Sequence, residues 1–142
     1  MLNLGYSMLC QEIIGKILAR RMNPALGIAH SSNEHRDALA YDLMEEWRPV
    51  LVDSVVMSMI NGKEIHVEQF SRDEETGGIR LGRQGMKLFL AKMANRMEMK
   101  QKYISPYGKE ISYREAISYQ VERMGEAIVH QDPELYDPIA IR

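Results

Sequence analysis

The chain is 142 residues long, with 18 basic and 20 acidic side chains and a formal net charge of −2, so it can bury a core of its own but its overall charge singles out no partner. Its one cysteine, Cys10, excludes an intrachain disulfide and fits a reducing cytoplasm. No apolar run is long enough to span a bilayer, and the N-terminus lacks the basic start and small-residue cleavage site of a signal peptide. With 5 prolines, 11 methionines and few strand-forming residues, the chain reads as all-α. A single helical bundle over residues 1–142 is expected, its apolar faces filled with adaptable methionine side chains.

Residues 3–21 read as an amphipathic helix, with Leu9, Ile13, Ile14, Ile17 and Leu18 at helical spacing and Glu12 paired one turn ahead of Lys16. Asn23-Pro24 ends it. Residues 25–35 read as a loop carrying His30 and His35. A second helix is expected over residues 36–61, kinked or broken at Pro49. On its first half Leu39, Leu43, Met44 and Trp47 gather on one side. Asp42 and Glu45 lie on the other, with Ala38 between them as a small residue that leaves room for a ligand. Beyond Pro49 the apolar stripe is Leu51, Val52, Val55, Val56, Met59 and Ile60.

Residues 62–81 read as a long polar loop with short extended pieces at 65–67 and Ile79–Leu81 and a turn at Gly77-Gly78. A third helix is expected over residues 83–102, with Met86, Phe89, Leu90, Met93 and Met97 facing inward. Lys92, Arg96 and Lys100 fall at i, i+4 and i+8 on its outer side. That stripe is either a solvated face or a surface for DNA phosphates. Ser112-Tyr113-Arg114-Glu115 is a capping box that opens a last helix with Ile117, Val121, Met124 and Ile128 inward. Asp132-Pro133 stops it.

The chemistry-bearing stretch is His30 followed by Tyr41-Asp42-Leu43-Met44-Glu45-Glu46-Trp47-Arg48-Pro49. Asp42 and Glu45 stand one helical turn apart, and a histidine in the preceding loop can fold back toward them. One nitrogen and two oxygen donors suit Mn²⁺ or Mg²⁺. Taken singly, each residue has a plainer reading, as a loop histidine or a solvated acid. Arg48 suits a DNA phosphate and equally suits a pairing with Glu45 or Asp42. No serine or cysteine nucleophile stands beside a base, which argues against covalent catalysis.

Together, Leu4-Gly5-Tyr6-Ser7, Gly27-Ile28-Ala29-His30, the Tyr41–Pro49 segment, Tyr113-Arg114-Glu115-Ala116-Ile117 and Tyr136-Asp137-Pro138 resemble the C-terminal helical domain of the "Cas-one" family, the CRISPR-associated endonuclease and integrase of spacer acquisition. The resemblance implies a divalent-metal site that cuts and joins DNA, with His30 and Glu45 as ligands. It makes Asp42 a ligand or a neighbour of one, and sets Tyr41 near the reacting phosphate. Arg48, Lys92, Arg96 and Lys100 become candidates for holding DNA. Double-stranded DNA, a second copy of the full-length protein and the "Cas-two" adaptation protein are the implied partners. The family also has an N-terminal β-domain and an upstream helix bearing a further metal-binding glutamate. Nothing here matches either, so a C-terminal fragment with an incomplete ligand set is expected, weak or inactive in isolation. Glu12 and Glu34 do not replace the glutamate by motif. The alternative is a non-catalytic helical module that binds DNA or sister subunits.

Overall fold

Apolar side chains at helical spacing bring the helices together around a continuous core in which Trp47, Phe89, Leu9, Ile13, Ile17, Leu39, Leu43, Leu51, Met59 and Ile117 are fully buried. The computed structural model describes residues 1–27, 37–101 and 110–138. The helices are α1 (Leu2–Ala19), α2 (Ala38–Met44), α3 (Ser54–Asn61), α4 (Arg83–Glu98) and α5 (Tyr113–His130). Two antiparallel hairpins join them. Strand β1 (Phe70–Arg72) pairs with β2 (Ile79–Leu81), placing Phe70 opposite Leu81. Strand β3 (Lys100–Gln101) pairs with β4 (Ile111–Ser112), placing Lys100 opposite Ser112. The mainly helical fold expected from the sequence is what the chain adopts. Among the described residues no helix is long and apolar enough to cross a membrane.

Helix α1 lies centrally, against α2, α5 and the segment that leads into α3. Gly5 permits this closeness. A Cβ placed there would lie 2.5 Å from Val52 Cγ1 and 3.3 Å from Phe89 Cζ. The first turn of α2 has no side-chain cap; the Leu39 N–H instead donates to the Pro24 carbonyl at 2.9 Å.

The expected long helix over 36–61 is resolved differently. Helix α2 stops at Met44, and a six-residue π-helical stretch, Arg48–Asp53, feeds into α3. Pro49 sits at the start of that stretch, where its missing N–H costs little. The Val50 carbonyl accepts from Arg96 Nε at 3.2 Å and Nη2 at 3.0 Å, and from the Ser54 hydroxyl. Upstream, the buried Gln120 side chain serves the end of α2. Its Oε1 accepts from Trp47 Nε1 at 2.7 Å, and its Nε2 donates to the Leu43 carbonyl and the Tyr136 hydroxyl, each at 3.1 Å.

Other boundaries also move. Helix α4 ends at Glu98 rather than running to 102, because Met99 is extended and the chain turns into β3. The extended piece expected at 65–67 forms instead at Phe70–Arg72, after a short 3-10 turn over Val67–Gln69. Gly77 does make the turn, with φ of 69°. Leu18, Ile60, Leu90 and Ile128, expected inside, are exposed. The capping box of α5 forms as expected: Glu115 N donates to Ser112 Oγ at 3.2 Å, and Ser112 N donates to Glu115 Oε2 at 2.7 Å. In the first turn of α5, Arg114 bonds Glu12 of α1 and Glu98 of α4, each at 2.6 Å.

Candidate metal site and basic face

Helix α2 buries Leu39, Leu43 and Met44 and turns Tyr41, Asp42 and Glu45 toward its outer side. Tyr41 and Asp42 are half-buried and Glu45 is exposed. The two acids thus stand one turn apart at the C-terminal end of a short helix fixed through its apolar face. Ala38 does not lie open between them as the helical wheel suggests; it is fully buried. His30 and His35 lie outside the described residues. Among the described residues no three histidine, cysteine or acidic side chains gather closely enough to hold an ion. The two carboxylates fit a hard cation such as Mn²⁺ or Mg²⁺ by donor chemistry, since both ions take oxygen ligands.

The Glu45 carboxylate has a neighbour that the sequence left open. Arg48 Nη1 donates to Glu45 Oε1 at 2.6 Å, and the Arg48 guanidinium lies 4.4 Å from the centre of the Tyr6 ring. Stacking of this kind suits a planar cation. The Tyr6 hydroxyl donates to Asp53 Oδ1 at 2.5 Å. That bond is the main cause pushing the Tyr6 phenol above its ordinary value, while Arg48 works in the opposite direction. Glu45 is the main cause raising Arg48 further. Tyr6 and Asp53 therefore belong to this surface. The only sequence signal for Tyr6 was its place in the Leu4-Gly5-Tyr6 segment.

The basic residues of α4 are not a uniform stripe. Lys92 Nζ pairs with Glu64 Oε1 at 2.6 Å. Arg96 caps Val50 and lies 5.0 Å from the Tyr113 ring centre. Lys100 is exposed but belongs to β3, so the i, i+4, i+8 register ends at Arg96. Between α3 and α4, Ser54, Ser58, Lys92, Asn95 and Arg96 line an open cleft of about 550 Å³.

Residues 1–95, which hold α1, α2, α3 and both candidate acids, match the model of the family described as CRISPR associated protein Cas1. The chain belongs to that family. Its similarity to a Cas1 endonuclease of Thermus thermophilus runs over all 142 residues at 32% identity and spans 42% of that protein's length. A Cas4 exonuclease and Cas1 endonuclease fusion of Geobacter sulfurreducens is 36% identical over 84% of this chain and 21% of its own length. Among solved structures, a casposase bound to its integration product superposes over the whole chain and 41% of the casposase, with a TM-score of 0.82 and 26% identity. The chain thus spans about two fifths of the length of the Thermus Cas1 relative.

Proposed function

We propose that this chain carries part of a divalent-metal-dependent DNA endonuclease and integrase of CRISPR adaptation, which inserts short DNA fragments into a repeat array by transesterification at phosphorus. The observation that carries the reading is the placement of Asp42 and Glu45 one turn apart on the outer side of α2, inside the segment that matches the Cas1 family. Two further findings support it: the Thermus relative is named an endonuclease, and the similar casposase was solved with the product of an integration.

Asp42 and Glu45 would hold the ion, Mn²⁺ or Mg²⁺, with His30 as the nitrogen donor. The ion would supply the positive charge that activates a DNA 3′-hydroxyl and offsets charge building on the phosphate. The rest falls to the chain itself. Asp42 and Glu45 would hold the ion from a helix anchored by Leu39 and Leu43. Tyr41, half-buried on the same helix, would lie near the reacting phosphate. Lys100 offers an exposed cation to DNA phosphates, whereas Lys92 and Arg96 can do so only while sharing or leaving Glu64 and Val50. Arg48 likewise reaches a phosphate only by leaving Glu45. Double-stranded DNA, a second copy and a Cas2-type protein are the proposed partners. A Cas6-RT-Cas1–Cas2 complex contains a chain of this fold, with a TM-score of 0.82 at 22% identity.

The test combines Mn²⁺ calorimetry with an assay of strand transfer into labelled repeat DNA. The chain binds Mn²⁺ weakly, and Asp42→Asn and Glu45→Gln each abolish that binding. Strand transfer by the chain alone is poor, since a small misplacement of reacting groups costs about 10²-fold in rate; supplying the remaining segment of a Cas1 relative restores it. Mn²⁺ binding that survives both substitutions sinks the ligand assignment. DNA binding with no metal dependence in the restored protein favours the non-catalytic module instead.

A further inference from the structure

Glu45 already holds a cation. Arg48 Nη1 stands 2.6 Å from Glu45 Oε1, the distance of a charge-assisted hydrogen bond. The guanidinium is seated on the Tyr6 ring at 4.4 Å. The ring in turn is fixed from α1 by its 2.5 Å hydrogen bond to Asp53. That bond engages Asp53 with the tyrosine hydroxyl, and the carboxylate to which Arg48 donates is that of Glu45. Tyr6 on α1 and Asp53 at the end of the π-helical stretch thus seat one guanidinium beside one carboxylate. The pair is partly exposed, with side-chain exposures of 35% and 53%, so it is reached by solvent ions and is weak enough to exchange. A divalent cation bound to Glu45 would stand within a few ångströms of the guanidinium, and two like charges at that range repel.

Resting on the metal reading above, we propose that Arg48 is the resident counter-ion of Glu45 and that a divalent cation binds by displacing it, so that the Arg48–Glu45 pair sets the cation affinity. Tyr6 acts as a positioning residue. It keeps the guanidinium over its ring, so the displaced arginine keeps one contact while it gives up the other. The pair also holds the carboxylate neutralised until a cation arrives.

The test is Mn²⁺ affinity, by calorimetry and electron paramagnetic resonance, of the 142-residue chain at low and at physiological ionic strength. Arg48→Gln binds Mn²⁺ about fivefold more tightly at low ionic strength, and the gain shrinks as salt rises. Arg48→Lys keeps the charge but loses the planar stacking on Tyr6, and gains less affinity than Arg48→Gln. Thermal melts confirm that each variant is folded. A measurement on the unsubstituted chain runs beside them: the Arg48 Nε–H resonance moves during a Mg²⁺ titration with the midpoint of cation binding. Arg48→Gln binding no tighter than wild type, or an Arg48 resonance that stays still while Mg²⁺ binds, overturns the proposal. Glu45→Gln separates the two readings. If it loses Mn²⁺ while Arg48→Gln gains nothing, only the counter-ion proposal fails. If the wild-type chain takes up no Mn²⁺, or Glu45→Gln takes it up equally well, the metal reading fails and the proposal with it.

Discussion

The Trp47 indole N–H donates to Gln120 Oε1 at 2.7 Å, joining the end of α2 to the middle of α5 across 73 positions of chain. Both side chains are almost completely buried. The same glutamine amide serves the Leu43 carbonyl and the Tyr136 hydroxyl, so one side chain completes the polar accounting where α2 gives way to the π-helical stretch. The candidate acids stand on this piece of backbone, and its rigidity is set from the far side of the core.

Gln120→Leu therefore removes the partners of a buried N–H and a buried carbonyl together. Each such group left unpaired costs about 1–3 kcal/mol. The expected loss is about 2–5 kcal/mol by urea denaturation, with Mn²⁺ affinity falling as α2 loosens. A loss below about 1 kcal/mol would mean that water replaces the amide.

Gly5→Ala tests the contact between α1 and the π-helical stretch. The added methyl meets Val52 and Phe89 inside ordinary packing distance, and overpacking of this kind costs about 1–3 kcal/mol. Gly15, with nothing within 4 Å of its missing Cβ, is the internal control. Gly15→Ala should gain about 0.5–1 kcal/mol from helix propensity.

Burial is the chief cause raising the Tyr136 phenol well above the ordinary 10.0, and its hydrogen bond to Glu46 adds to it. The folded chain thus holds this proton more tightly than the unfolded chain does. The stability it contributes is fully present below pH 10 and is lost as pH rises above that value. Denaturation midpoints measured from neutral to strongly alkaline pH should fall more steeply for wild type than for Tyr136→Phe. At neutral pH the variant should be the weaker protein by about 1–2 kcal/mol, since Glu46 and Gln120 each lose a partner. Parallel curves would remove Tyr136 from the account of alkaline unfolding.

Arg96 and Lys100, equivalent in a helical-stripe reading, should separate under substitution. Arg96→Ala removes both guanidinium donors from the Val50 carbonyl and the cation from the Tyr113 ring; a loss of about 1–3 kcal/mol is expected. Lys100→Ala should be within about 0.5 kcal/mol of wild type. In DNA binding the order reverses: Lys100→Ala lowers the slope of affinity against salt by about one unit. Equal melting temperatures for the two variants would count against the capping role of Arg96.

What the sequence made legible was local. The capping box at Ser112 and Glu115, the Glu12–Lys16 pair at 3.6 Å, the Gly77 turn and the α1 core residues Leu9, Ile13 and Ile17 need only neighbours a few positions away. What it hid was decided at long range. The π-helical stretch depends on Arg96, 46 positions from the carbonyl it caps, so a proline rule alone foresaw a kink. Helix α4 stops early because β3 finds a partner in β4. Periodicity marked Leu18, Ile60, Leu90 and Ile128 as apolar but could not report which helix faces have anything packed on them. At the candidate site, the acids were visible from spacing and resemblance. Tyr6 and Asp53 were not, because their connection to Glu45 passes through Arg48 and through space.

The π-helical stretch also keeps time. Leu39, Leu43, Trp47, Leu51, Val55 and Met59 are all buried, and they recur at an unbroken interval of four. In an α-helix of 3.6 residues per turn each such step overshoots by about 40°, and five steps would carry the last side chain round to the opposite side. The wider winding of Arg48–Asp53 takes up part of that drift, the turn after Met44 interrupts the rest, and Val55 and Met59 face the core again. One extra residue in that stretch would bring Ser54 and Ser58 to the core in their place. Length there is a stricter specification than identity, and a variant with a changed side chain should outlast one with a changed count.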